Sequence, residues 1–209
     1  MSNLNSLIGF LVGILGFLFL FWRRLKEDYT SDQIFTFGFI LSGGLILGSL
    51  LAFFIGAKIT TSQIFIPAGL WFWGAFIVGT ICFRVFLKTR FFETLEAAGI
   101  GFLFWFFALF LITSLKTPNI PSLLFACFSG ALLPLFFFLD NQYKSFRWYK
   151  SGKVGFAGLV VLTLFFLGRS IVALINPSML SFIGKADAII SIIVSFLFFL
   201  SLYNLSGRL

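Results

Sequence analysis

Apolar residues in this chain come in long runs separated by short polar turns. The runs fall at about residues 4–22, 33–55, 64–87, 95–115, 122–139, 154–175 and 188–205. A helix rising 1.5 Å per residue needs about 20 apolar residues to cross about 30 Å of hydrocarbon, so each run predicts one membrane helix. The run at 122–139 is near the short limit and holds Pro134, which predicts a kink. Before the first run stands the uncharged Met1-Ser2-Asn3, and after it Arg23-Arg24, the reverse of a signal peptide's basic front, so this run is expected to stay as a span. The pattern therefore predicts an all-α, polytopic integral membrane protein in which residues 1–209 form a single transmembrane domain of seven helices.

Composition agrees: 60% of residues are hydrophobic, 11% are charged, and the mean hydropathy is +1.08, too apolar for burial in one water-soluble core. The net charge of +8 is carried by turns between spans, as in the cytoplasmic loops of membrane proteins, and does not point to nucleic acid. Ten cations lie on the first, third and fifth turns: Arg23, Arg24, Lys26; Arg84, Lys88, Arg90; Lys144, Arg147, Lys150 and Lys153. The other turns carry only Lys58, Lys116 and Lys185. Basic loops are retained in the cytoplasm, so the N-terminus is expected outside and the C-terminus inside, which Arg208 supports. In this orientation Gly69-Leu70-Trp71-Phe72-Trp73-Gly74 is a Gly/Trp-rich mouth at the outer face, followed by a crossing helix and a basic anchor.

Candidate chemistry is sparse. There is no histidine, and with it go the commonest general base at neutral pH and the commonest metal ligand. Cys82 and Cys127 lie inside apolar runs and read as small buried side chains, not as a disulfide or metal site. The seven acids, Glu27, Asp28, Asp32, Glu93, Glu96, Asp140 and Asp187, fall at predicted helix ends. No carboxylate pair is therefore expected to face a common interior, and no proton relay, metal or other cofactor is expected. Lys185 is only at the edge of the last span, which disfavours a retinal Schiff base. Glycines at Gly43, Gly44, Gly48, Gly74 and Gly79 would let helices approach closely. Arg169 is the exception to apolar interiors. Arginine inside hydrocarbon costs about 2.5 to 3.5 kcal/mol, so it is expected either to face a polar cavity or a phosphate, or to snorkel about 9 Å to the outer head groups.

The motifs resemble those of the phosphatidylglycerol–prolipoprotein diacylglyceryl transferases. These seven-helix bacterial inner-membrane enzymes have the N-terminus outside and move a diacylglyceryl group from phosphatidylglycerol to a lipoprotein-precursor cysteine. Ser42-Gly43-Gly44-Leu45 resembles the family's Gly-Gly-Arg, and Gly69-Leu70-Trp71-Phe72-Trp73-Gly74 resembles its Gly-Met-Ser-Phe-His-Gly. Pro121-Ser122-Leu123-Leu124 resembles part of His-Pro-Ser-Gln-Leu-Tyr-Glu, and Gly168-Arg169-Ser170-Ile171-Val172 resembles the sixth-helix Arg-Ile-Ile-Val-Glu.

Departures run in one direction. Leu45 replaces the arginine and Trp73 the histidine. Ile120, Leu123, Phe125 and Ala126 stand where the family has His, Gln, Tyr and Glu, and Ala173 stands where it has the sixth-helix Glu. The Gly-Arg-x-Gly-Asn signature and the outer insertion between the fourth and fifth helices are missing. Expelling a phosphate needs cations and a proton acceptor, each worth about 2.7 to 4 kcal/mol, and of these the resemblance leaves Arg169. It therefore implies a non-catalytic lipid-binding homologue in the bacterial inner membrane. Arg169 would hold the phosphate of an anionic lipid such as phosphatidylglycerol, with Gly43, Gly44, Trp73, Gly74 and Ser122 lining the pocket and a lipoprotein precursor or a membrane partner beside it. The alternatives are an active transferase with a reduced site, and a structural subunit or small transporter. Small-residue faces suit a subunit, while the lack of polar groups at midplane disfavours a transporter.

Overall fold

The computed structural model describes residues 2–26, 28–44, 91–116, 120–146, 155–176 and 185–207. Every extended element among them is an α-helix. They are α1 (Ser2–Leu25), α2 (31–44), α3 (Phe91–Lys116), α4 (Ile120–Gln142), α5 (Phe156–Ile175) and α6 (Lys185–Gly207). A single 3-10 turn, Tyr143–Ser145, follows α4. Four of these helices are long and apolar enough to cross a membrane, over Phe92–Ile112, Ile120–Ser145, Phe156–Ile175 and Ala188–Ser206. The expected third run, 64–87, lies outside the described residues.

Helix ends follow local chemistry. After α1, the Asp28 and Tyr29 amides bond the Leu25 carbonyl at 3.1 and 3.0 Å and turn the chain back. Thr30 then opens α2, with its own N–H donating to the Gln33 side chain at 3.3 Å, half of a capping box. Pro121 sits in the first turn of α4, where its missing N–H costs nothing. Pro134 lies inside α4, which continues as one helix through it. Gly155 caps α5 with φ +115°, a backbone region that side chains other than glycine rarely adopt.

Packing is aromatic. Between helices in lipid the hydrophobic effect has little to act on, so close ring contacts and van der Waals fit must hold the bundle. Phe110 of α3 lies edge-on to Phe125 of α4 at 4.8 Å, and Phe106 lies edge-on to Phe165 of α5 at 5.6 Å. Phe166 extends the column to Phe198 of α6 at 5.7 Å. Such ring pairs are each worth about 0.5 to 1.5 kcal/mol. Antiparallel α1 and α3 interlock by rings set on glycines: Phe17 over Gly101, Trp105 over Gly13 and Phe104 over Gly16. The faces turned away from this core carry Ile189, Ile193, Phe196, Leu197 and Leu200 on α6 and Phe138 on α4, surfaces suited to hydrocarbon. Cys127 is on such an outward face, correcting its reading as a buried side chain, because its α4 neighbours Phe125 and Ala126 take the inward positions.

Candidate functional site

Two buried polar layers lie at different depths. At one end of the bundle the last turn of α1, the second turn of α3, the first turn of α5 and the last turn of α4 converge around Glu96. Its Oε2 accepts from Arg24 Nη2 at 3.3 Å, and its Oε1 accepts from the Gly158 backbone N–H at 3.2 Å. That N–H is among the first-turn donors that α5 cannot satisfy itself, so a carboxylate from α3 caps α5. Arg24 also lies 3.7 Å from Asp140 Oδ1 at the end of α4. Beside this network the Tyr29 hydroxyl donates to Glu93 Oε2 at 3.1 Å. Past the apolar run of α1, burial would lower the Arg24 pKa, but Glu96 and then Asp140 outweigh it and raise it above its ordinary value. The guanidinium is permanently charged.

This layer corrects one expectation. The acids do sit at helix ends, yet Glu93 and Glu96 are only 3% and 2% exposed, and Glu96 and Asp140 share one cation. Position along a helix axis was visible in the sequence; the side of the helix was not. Among the described residues no cluster of three acids or cysteines suited to a metal ion occurs.

The second layer is Arg169, 0% exposed, on the face of α5 that packs against α3 and α4. Its guanidinium carbon lies 5.4 Å from the centre of the Phe106 ring, a cation held over an aromatic face. By helical rise it stands about 9 Å from the end of α5 and about 16 Å from the level of Gly158. Next to it, Gly168 lets the ring of Phe128 come so close that a Cβ would lie 2.5 Å from it. The side chain is thus turned inward, away from a snorkelling path. Ser122 is buried at 3% in the first turn of α4, on the neighbouring helix. Gly43 and Gly44 are half-buried near the end of the described part of α2, and a Cβ on Gly43 would meet open space among the described residues. Trp73 and Gly74 lie outside the described residues. The sequence reading missed Glu96, Arg24 and Gly158 as a unit, although glycines at 155 and 158 at the start of a span were a signal of close approach.

Among the described residues these layers define an all-helical chain with four helices long and apolar enough to span a bilayer, carrying a charge network at a bundle end and an arginine in its interior. No family model, curated protein or solved structure matches the chain.

Proposed function

We propose that this is a seven-span protein of the bacterial inner membrane, N-terminus outside, that keeps the scaffold of the prolipoprotein diacylglyceryl transferases and holds an anionic phospholipid without transferring its diacylglyceryl group. The observation that carries this reading is Arg169: a cation wholly enclosed in a span and set over Phe106, where the cost of an arginine in hydrocarbon favours an anionic partner such as a lipid phosphate. A planar guanidinium can offer a phosphate two parallel donors, so binding is within its means. Transfer asks for extra stabilisation of the leaving phosphate, and Leu45, Trp73, Ile120, Ala126 and Ala173 supply none.

The test is the purified protein with phosphatidylglycerol and a lipobox peptide, assayed for glycerol phosphate release and for retained lipid. No release is expected, with phosphatidylglycerol retained over phosphatidylcholine and that preference lost in Arg169→Gln. Turnover that disappears in Arg169→Ala would mean that the chain is an enzyme with a reduced site.

A further inference from the structure

At the end of the bundle that holds Glu96, a pocket of about 240 Å³ opens between α1, α3 and α4. At roughly 30 Å³ per water it holds about eight water volumes, enough for a phosphate group with its ester arms. Its rim carries Arg23, Arg24 and Lys26 against one carboxylate, Asp140. Arg24 is already committed to Glu96 and Asp140, whereas Arg23 and Lys26 are exposed and rest on aromatic faces, Arg23 over Phe137 at 4.9 Å and Lys26 over Trp22 at 5.5 Å. The rim therefore keeps a positive surplus directed at whatever enters.

The wall beneath is of the opposite kind. Leu20, Ile100 and Phe136 each stand four residues deeper than a member of the charge network, Leu20 below Arg24, Ile100 below Glu96 and Phe136 below Asp140. Four residues are about 6 Å of helix, so all three helices change from charged to apolar at one common depth. A soluble anion would use the rim and leave the wall wet; a lipid uses both. Basic pockets between membrane helices on the cytoplasmic side suit anionic head groups for this reason.

We propose that this pocket binds a phosphate diester, the head of an anionic lipid of the leaflet at the basic end, with the first segment of an acyl chain on the apolar wall. Its residues are distinct from Arg169 and lie at the other end of α5, so the site is independent of the reading above. Native mass spectrometry of the full chain, in an Arg169→Gln background, titrated with phosphatidylglycerol and with phosphatidylcholine of the same chains, tests it. At about fivefold per basic side chain near a membrane surface, Arg23→Gln with Lys26→Gln should weaken phosphatidylglycerol binding about thirtyfold and leave phosphatidylcholine unchanged. Lys144→Gln, a cation at the same end but outside the pocket, should have little effect. An equal loss in Lys144→Gln and Lys26→Gln would reduce the pocket to diffuse surface charge and overturn the proposal. Displacement of the lipid by inorganic phosphate at equal concentration would make the occupant a soluble anion, and overturn it as well. Because Arg23 and Lys26 are exposed, the doubly substituted chain should elute as the parent does.

Discussion

Replacing Gly158 by alanine would separate two helices that Glu96 now joins. The added methyl carbon would lie 2.5 Å from Glu96 Cγ, 2.8 Å from its Cβ and 3.0 Å from its Cα. A rotamer change could move Cγ, but the Cα belongs to the backbone of α3, so α5 must back away. Overpacking of this kind costs about 1 to 3 kcal/mol. Loss of the 3.2 Å bond from the Gly158 N–H to a carboxylate adds about 1.5 to 3 kcal/mol. Alanine returns about 0.5 to 1 kcal/mol of helix preference over glycine, leaving a net loss of about 2 to 5 kcal/mol. Gly38→Ala is the matched comparison, since the atom in its way at 2.6 Å is the tip of Leu18, which can rotate; its effect should stay within about 1 kcal/mol. Reversible unfolding in mixed SDS micelles, followed by circular dichroism, measures both. Equal stabilities for the two variants, or a Gly158→Ala protein more stable than the parent, would refute the argument that α3 and α5 are held at backbone contact.

Three further outcomes are expected. Glu96→Ala leaves Arg24 without its closest carboxylate and should cost about 3 to 5 kcal/mol in the same unfolding assay, whereas Glu96→Gln keeps an acceptor for Gly158 and should cost about half as much; equal losses would mean that this acceptor contributes nothing and that the lost charge carries the whole effect. Cys127, on the outward face of α4, should resist a charged, membrane-impermeant maleimide in intact membranes and become labelled once the protein is unfolded in SDS, whereas rapid labelling in membranes would place that face in water. Reporter fusions after Lys150 should behave as cytoplasmic and after Lys116 as external, and the reverse would overturn the orientation together with the resemblance that shares it.

Much of the architecture was legible because hydropathy reports depth. Runs at 95–115, 122–139, 154–175 and 188–205 correspond to α3, α4, α5 and α6, with ends shifted by a few residues where Phe91, Phe92 and Gln142 continue a helix into the interface. Rotation about the axis was not legible. On a helix apolar all round, nothing in the pattern says which face meets protein and which meets lipid, so the inward turn of Glu96 and the outward turn of Cys127 could not be read. Arg169 was legible as a singular residue because one charge in a span is costly wherever it points.

The rings seated on glycines between α1 and α3 also fix how far one helix can slide past the other. Moving α1 by one turn, about 5.4 Å, would bring Phe17 from Gly101 onto Trp105 and carry Arg24 from Glu96 to Ile100. Steric notches in the apolar part thus act as a vernier for the charges at the end: the ion pair does not search for its partner but is delivered to it. A substitution that removes the charges should leave the helices in register, whereas one that fills a notch should displace the whole polar layer, although it lies turns away from every charge in it.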